Sequence, residues 1–289
     1  MTTLPPHVPA LSRLGLVPDV PNKDYHDKLP GLSSSGMKHF MRSPAHYQAY
    51  LQEEQKDTPA LRLGSIIHTA VLEPDKLKIS QAPEGNKNSN AYKAALAKIM
   101  ENSGPDIEIV TPDEEAAILG VQKAILEHPV ARKLLANGRP ELSLWWIDKQ
   151  SGVECKCRPD WLWDDGKILV DLKTTEDANY NAFSRSIAKY GYHFSAAHYL
   201  MGLEHHGFKV EAYLFLAVEK KPPYGVGIYR LDYTAESLAR DKVQKTLFEF
   251  KKCSAMNLWP GYPEEIREIG LPWYEQRKLD EELKEDEAA

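Results

Sequence analysis

The chain has 289 residues, 42% of them hydrophobic and 27% charged, a composition typical of a soluble protein with ample core. No stretch approaches the ~20 apolar residues of a membrane helix, and the amino terminus shows no basic start followed by an apolar run. With three cysteines, the sequence predicts a cytoplasmic protein without membrane partners.

The net charge of −6 argues against a uniformly basic surface that binds nucleic acid tightly and non-specifically. Residues 274–289 carry seven acidic and three basic side chains, so the rest of the chain has a net charge of only −2. A local basic channel is sufficient for an enzyme that passes along DNA. The charge therefore does not exclude a nuclease.

Three regions are predicted: an extended, Pro-rich arm over residues 1–30, a single domain over 31–258 and an acidic tail over 259–289. In the domain, a helical block precedes three strands, Glu141–Asp148, Val153–Trp163 and Lys167–Lys173. The elements predicted after them are the helices Asn179–Lys189 and Tyr192–His206, a β-pair of Lys209–Lys220 with Tyr224–Asp232, and a long helix capped by Thr234.

The first predicted helix begins within Gly31–Lys38, with a serine as its N-cap, and ends at Ser43-Pro44, where a second helix opens. Hydroxyl groups at a helix amino terminus, followed by basic side chains, are typical of a phosphate pocket. The candidate substrate-binding residues of this pocket are Ser34, Ser35, Lys38 and Arg42. Plain capping explains the serines equally well.

A third helix opens at Thr58-Pro59 and contains the spacing Gly64-x-x-x-His68, which places these two residues on one helix face. Gly64 is expected to allow close packing against another element. A single histidine in an apolar helix is usually a core residue, so His68 alone does not indicate a functional site.

The three central strands bring carboxylates together. Asp171 and Lys173 point the same way because strand residues two apart share a face. If their strand pairs with the preceding one about the turn at 164–166, Asp160 lies close to Asp171. Carboxylates held together need a cation, and their hard oxygens suit Mg²⁺, with Mn²⁺ as a substitute.

An Asp-x-Lys triplet alone is more often a solvated salt bridge than a site. Here Pro159-Asp160, a turn, an apolar strand and Asp171-Leu172-Lys173 follow one another, an order that resembles the PD-(D/E)-x-K nuclease signature. If this signature is accepted, His68 is interpreted as a functional residue and not as a core residue.

The cysteines and tryptophans of the second strand have alternative interpretations. Cys155 and Cys157 are two apart and could hold zinc or an iron–sulfur cluster, but only Cys253 remains as a further ligand. Trp161 and Trp163 could stack on bases, although tryptophans on a central strand more often belong to the core.

A set of motifs spans the chain from about residue 32 to 255. In order, they are Leu32–Ser35, Ser43–Tyr47, Leu63–His68, Glu141, Cys157–Asp160, Asp171–Thr175 and Tyr199. Together they resemble the RecE-type exonucleases (exodeoxyribonuclease VIII), in the RecB and lambda-exonuclease branch of the PD-(D/E)-x-K nucleases. The chain departs from this family at Ser195, where a glutamine is common, which puts that glutamine's contribution in question.

The resemblance implies an α/β fold of the restriction-endonuclease type, with a mixed central β-sheet flanked by helices and an N-terminal helical extension. It also implies a Mg²⁺-dependent 5′→3′ exonuclease acting on linear double-stranded DNA ends in phage-type recombination. The implied metal ligands are His68, Asp160, Asp171 and the Leu172 carbonyl. The further implied residues are Lys173, which would orient or deprotonate water, Glu141 and Tyr199 in catalysis, and Arg158 in substrate binding.

The expected partners are double-stranded DNA ends, a single-strand annealing recombination protein and further copies of the chain, as a trimer or tetramer. A PD-(D/E)-x-K endonuclease, restriction-like or Cas4-like, would share the core, although a Cas4-like enzyme usually has four clustered cysteines. A catalytically silent DNA-binding module is the alternative without activity, and the joint presence of His68, Asp160, Asp171 and Lys173 disfavours it.

Overall fold

A computed structural model describes residues 15–17, 20, 24–25, 30–53, 58–104 and 107–288, with the side chains of 15–17 and 285–288 left out. The predicted arm over residues 1–30 therefore lies mostly outside the described residues. No helix in the described ranges is long and apolar enough to cross a bilayer.

The described part of the chain contains both strands and helices. The strands are β1 Gly15–Val17, β2 Ile79–Gln81, β3 Glu108–Val110, β4 Arg139–Pro140, β5 Ser143–Ile147, β6 Glu154–Cys157, β7 Trp161–Leu162, β8 Ile168–Thr175, β9 Ala212–Glu219 and β10 Val226–Arg230. The helices are α1 Ser34–Arg42, α2 Pro44–Gln52, α3 Pro59–Leu72, α4 Asn90–Ser103, α5 Pro112–Glu127, α6 Pro129–Leu134, α7 Tyr180–Tyr190, α8 Tyr192–His205, α9 Tyr233–Met256 and α10 Trp273–Ala288.

A five-stranded sheet in the order β10-β9-β8-β7-β4 forms the centre of the fold. It is mixed, because β8 and β9 run parallel while its other pairs are antiparallel. The hairpin predicted about residues 164–166 is confirmed: Trp161 pairs with Val170, and Leu162 with Leu169. This register places the residue before β7 beside the middle of β8.

The prediction of one continuous strand over Val153–Trp163 is wrong. The chain breaks at Arg158–Asp160, so that β6 joins a separate sheet in the order β1-β5-β6, while β7 belongs to the central sheet. Pro159 lacks an N–H group for a strand ladder. Asp160 instead directs its carbonyl at the Glu141 N–H over 3.0 Å and its carboxylate at the Leu172 N–H over 2.8 Å.

The core lies on both faces of the central sheet. On one face, Leu169 and Phe215 pack with Phe183 of α7 and with residues of α8 and α9. On the other face, Leu172 and Leu216 pack with residues of α3 and α5. Side chains alternate along β8, so Asp171 and Lys173 share the face of Leu169. This arrangement confirms the predicted mixed sheet flanked by helices.

Local capping explains where the first helices begin. The Ser33 side chain accepts a hydrogen bond from the Gly36 N–H, and Ser43 and Thr58 cap α2 and α3 ahead of a proline. The prediction that Thr234 caps the long helix is wrong. The cap is Asp232, whose side chain accepts from the Ala235 N–H over 3.0 Å, and α9 begins at Tyr233.

The segment after α9 folds back onto the first two helices. The ring of Trp259 lies 5.7 Å from those of both Tyr47 and Phe250, and the Pro260 carbonyl accepts from the Ala45 N–H. Beyond it, the exposed helix α10 carries much of the acidic tail, where no helix was predicted from the sequence.

Candidate active site

Asp160, Asp171 and Lys173 meet where β7 pairs with β8. The Lys173 Nζ lies 2.5 Å from Asp171 Oδ2 and 3.7 Å from Asp160 Oδ2, so the ammonium sits against both carboxylates. It also donates to the Leu172 carbonyl over 3.3 Å. The convergence expected from the hairpin is therefore present.

His68 reaches this group from the opposite layer. It lies on α3, which packs against the β8 face that carries Leu172, and its Nδ1 is 3.7 Å from Asp160 Oδ2. Its pKa is lowered by burial, while Asp160 and a backbone hydrogen bond with Leu172 oppose that shift. A Cβ added at Gly64 would meet only Thr174 Oγ1 at 3.5 Å, so this approach of α3 does not require a glycine.

Glu141 completes the constellation from the turn between β4 and β5. The prediction that it starts a strand is wrong: its φ of 49° is left-handed, a costly conformation for a residue with a Cβ. Its N–H bonds to the Asp160 carbonyl. Donor atoms of His68, Glu141 and Asp160 all lie within 4.8 Å of one another.

Negative charge is crowded in this site. Burial raises the pKa of Glu141 to about 8, and the neighbouring Asp160 acts in the same direction. Burial also raises the pKa of Asp171 to about 6, with Asp160 adding to the shift and Lys173 opposing it. Although burial disfavours the ammonium, Asp171 and Asp160 raise the pKa of Lys173, which stays charged.

The donor set fits a hard divalent cation. Two carboxylates and one imidazole nitrogen converge from three separate segments. The Leu172 carbonyl accepts a hydrogen bond from Lys173, and its role as a ligand stays a prediction. Carboxylates with raised pKa values are those that an added cation would stabilise in their charged form. Asp171 lies outside the three-residue cluster, against Lys173, so its role as a ligand stays a prediction.

The predicted phosphate-binding residues differ in their partners and in their exposure. Lys38 donates to the Tyr190 carbonyl over 3.3 Å, and its pKa is lowered by burial and then by the nearby charge of Lys173. Arg42, one turn later, donates instead to the Tyr262 hydroxyl over 3.2 Å. At the start of α1, Ser34 is buried and Ser35 is exposed.

Neither Arg158 nor Tyr199 has an exposed side chain. The Arg158 side chain is only 8% exposed, donates to Ser143 Oγ over 2.9 Å and lies 4.0 Å from Glu141 Oε2. Tyr199 is half-buried on α8, where burial and the charges of Asp171 and Asp160 raise its pKa. Direct contact of Arg158 with DNA stays a prediction.

The tryptophans and cysteines take structural positions. Trp161 and Trp163 pack against the core cluster on the α3 side of the sheet, and the Trp163 indole donates to the Leu134 carbonyl over 2.8 Å. Cys155 and Cys157 are buried free thiols. In the described ranges, His68, Glu141 and Asp160 form the one metal-type cluster found, and it contains no cysteine.

Three tyrosines near the site were missed in the sequence analysis. The Lys173 Nζ lies 5.4 Å from the centroid of the Tyr192 ring. Tyr213 is fully buried on β9, where burial and the Asp171 charge raise its pKa. Tyr25 comes from the N-terminal segment and packs on Arg158. Their proximity depends on pairing and packing across the chain, and no local motif marks them.

The mixed sheet, its two helical layers and the acidic cluster beside an Asp-x-Lys strand define the PD-(D/E)-x-K nuclease superfamily. A family model described as a PDDEXK-like domain of unknown function (DUF3799) matches residues 33–270, and the chain belongs to this family. Nucleases of this superfamily generally use divalent metals. Membership of the RecE type within it stays a prediction.

The fold is also similar to a solved structure from Eubacterium rectale, described as a "Putative exonuclease". The two share 14% sequence identity at a TM-score of 0.61, over 88% of this chain and 95% of the other. At this identity the likeness establishes the fold alone. A search of the curated proteins finds no match.

Proposed function

We propose that this protein is a metal-dependent exodeoxyribonuclease that degrades linear double-stranded DNA in the 5′→3′ direction. The observation that carries the proposal is the cluster of His68, Glu141 and Asp160, with donor atoms within 4.8 Å, directly beside the Asp171–Lys173 pair. Such a site combines cation ligands with a fixed positive side chain, which phosphodiester hydrolysis requires.

A bound divalent cation would lower the pKa of the attacking water and neutralise charge on the phosphate. The protein residues supply the remaining elements. Lys173 has a raised pKa and remains protonated, which suits the stabilisation of developing negative charge better than proton abstraction. Burial raises the pKa of Glu141 to about 8 without a cation, so a bound cation would stabilise its charged form, which suits a metal ligand.

Support for action at a 5′ end comes from α1. Its amino terminus carries the partial positive charge of a helix dipole, which favours a terminal phosphate dianion. Lys38 lies on this helix close enough to Lys173 for their charges to interact. The structural neighbour described as an exonuclease supports the same class of activity.

Digestion of linear and covalently closed circular duplex, each with Mg²⁺ or with EDTA, tests the proposal. We expect Mg²⁺-dependent release of nucleotides from linear duplex and no conversion of the circle. Cleavage of the circle would indicate an endonuclease instead. Binding of either DNA without hydrolysis would indicate a silent binding module. The Asp171→Ala variant controls for contaminating nucleases.

We extend the proposal to assembly and biological role. A small nuclease without a separate clamp benefits from enclosing its duplex, so a trimer or tetramer is expected. A sedimentation mass near 32.7 kDa at micromolar concentration would contradict it. A single-strand annealing protein is the proposed partner in cytoplasmic, phage-type recombination, testable by co-purification of the two proteins.

A further inference from the structure

Described residues of the N-terminal segment contact the β1-β5-β6 sheet, whose last strand ends just before Arg158. We name these residues, 15–17, 20, 24–25 and 30, the N-terminal strap. Its strand β1 pairs antiparallel with β5, Val17 opposite Ser143 and Gly15 opposite Trp145. The Trp145 indole N–H donates to the Pro30 carbonyl over 3.0 Å. The strap is thus anchored on both sides of Tyr25.

The ring of Tyr25 in the strap lies close to two cations. Its ring centroid is 4.1 Å from the Arg158 Cζ and 4.9 Å from the Lys156 Nζ, and the residue is only 5% exposed. Lys156 also donates to the Tyr25 carbonyl over 2.7 Å. A tyrosine ring attracts cations to its face, so this packing fixes the guanidinium of Arg158.

Arg158 connects the strap to the candidate metal site. Its Nε donates to Ser143 Oγ over 2.9 Å, and a terminal nitrogen donates to the Val20 carbonyl over 3.0 Å. The same Nε lies 4.0 Å from Glu141 Oε2. A planar guanidinium held by these contacts presents a fixed positive charge to the Glu141 carboxylate.

Glu141 depends on support from outside its own segment. It lies in a turn between two short strands, its φ is left-handed, and its side chain is 29% exposed. Its backbone is tied to Asp160, but its carboxylate could still rotate away from His68 and Asp160. The partner found beside that carboxylate among the described residues is Arg158.

We propose that Tyr25 and Arg158 are positioning residues of the metal site: the strap holds Arg158, and Arg158 holds the Glu141 carboxylate in place for the cation. This inference rests on the proposed function, since it concerns the same site. It makes the N-terminal strap part of the active site. Arg158 then has the role of orienting the metal ligand Glu141, not of binding DNA.

The test measures Mn²⁺ binding to the full-length protein without DNA, by the electron paramagnetic resonance signal of free Mn²⁺. Outer-shell residues that orient ligands typically change metal affinity roughly 10- to 100-fold when replaced, and we expect a loss in this range for Arg158→Gln. Tyr25→Leu, which removes the ring face, should weaken binding in the same direction. Tyr25→Phe keeps the ring and should restore wild-type affinity.

Arg240→Gln is the matched control. It removes a guanidinium that is paired with Glu204 and Glu236 rather than with Glu141, so Mn²⁺ affinity should stay at the wild-type value. If Arg158→Gln does not fold, the comparison of Tyr25→Leu with Tyr25→Phe decides. Wild-type affinity in folded Arg158→Gln or Tyr25→Leu would overturn the inference, as would absence of Mn²⁺ binding by the wild type.

DNA hydrolysis by the same preparations separates this inference from the proposed function. If the wild type binds Mn²⁺ but leaves linear duplex intact, the proposed function fails while the positioning role is still decided by the affinities. If the wild type hydrolyses DNA and all variants bind Mn²⁺ equally, the positioning role fails and the nuclease stands.

Discussion

The carboxylate of Asp160 accepts a hydrogen bond from the backbone N–H of Leu172 over 2.8 Å. This contact joins the segment that breaks the second predicted strand to the middle of β8. It orients the carboxylate towards both His68 and Lys173, each 3.7 Å from the same oxygen. Asp160 therefore stabilises the pairing of two chain segments and is also part of the candidate metal site.

Asp160→Asn separates these two roles. An amide oxygen can still accept the Leu172 N–H, so the fold should persist, but the negative charge needed by a cation is lost. We expect Mg²⁺-dependent cleavage of linear duplex to fall by at least ~100-fold, beyond the usual effect of an outer-shell change. The melting temperature should stay near the wild-type value. A folded Asp160→Asn protein with near wild-type cleavage would remove Asp160 from the site.

His68→Leu tests the third donor of the cluster. Leucine has a similar volume but no atom that binds a cation, and two carboxylates remain. The Mg²⁺ concentration for half-maximal rate should rise roughly tenfold, while the rate at saturating Mg²⁺ falls less. A titration of rate against Mg²⁺ measures both quantities. An unchanged half-maximal concentration would identify His68 as a core residue, the alternative interpretation of its helix.

The parts of the site that were predicted correctly depend on local sequence. The turn at residues 164–166 fixes the register of β7 on β8, so proximity of Asp160 to Asp171 follows from counting residues. The helix starts at Ser43-Pro44 and Thr58-Pro59 also follow from local capping chemistry.

The parts that were missed depend on contacts between distant segments. Glu141 takes its left-handed conformation where its N–H bonds to Asp160, which no strand pattern encodes. Tyr25 meets Arg158 only because β1 pairs with β5 from more than a hundred residues away. Composition and periodicity carry no information about such pairings, so neither contact could be predicted.

The aromatic segment after α9 provides a test of the predicted boundary between domain and tail at residues 258 and 259. A protein ending at Tyr262 keeps the Trp259 ring against Tyr47 and Phe250, and its melting temperature should match the full chain. A protein ending at Leu258 loses that ring, which should cost roughly 2–3 kcal/mol and lower the melting temperature by about 5–10 °C.

Equal melting temperatures for the two truncated proteins would support the boundary at 258 and show that Trp259 contributes little to stability. Trp259→Ala in the full-length chain provides the control, because it removes the ring without shortening the backbone. It should reproduce most of the loss in the shorter protein.

His198 should make the free energy of unfolding depend on pH. It is fully buried, its Nε2 lies 3.2 Å from the Lys156 carbonyl, and burial lowers its pKa to about 4. The unfolded chain binds the proton near pH 6.5, whereas the native state stays neutral until about pH 4. Stability is therefore constant above pH 6.5 for this group and falls as the pH decreases towards 4, by roughly 3 kcal/mol.

Urea unfolding at several pH values between 4 and 7 measures this effect. A glutamine at this position would not titrate, so the free energy of unfolding of His198→Gln should depend less steeply on pH than that of the wild type. The difference in slope should correspond to the uptake of about one proton on unfolding. His206→Gln is the matched control, because His206 also lies against a backbone carbonyl, that of Trp145, but is only half-buried. Parallel slopes for wild type and His198→Gln would show that the imidazole is protonated in the native state.

Lys38 and Arg42 lie one turn apart on α1 and allow a direct test of 5′-phosphate recognition. The Lys38 ammonium donates to the Tyr190 carbonyl and lies close enough to Lys173 for their charges to interact, whereas the Arg42 guanidinium donates to the Tyr262 hydroxyl. A charge-assisted contact contributes about 1.5–3 kcal/mol, so Lys38→Ala should slow digestion of 5′-phosphorylated linear duplex roughly tenfold to a hundredfold. On 5′-hydroxyl duplex the loss should be much smaller, since the extra charge is missing.

Arg42→Ala removes a positive charge from the same helix and so controls for general weakening of DNA binding. Rates of nucleotide release from the two duplexes, for wild type and both variants, give the preference for phosphorylated ends. We expect Arg42→Ala to keep that preference and Lys38→Ala to lose it. If wild type and Lys38→Ala share the same preference, Lys38 does not bind the terminal phosphate, and the start of α1 is a helix terminus capped by Ser33 without a phosphate site.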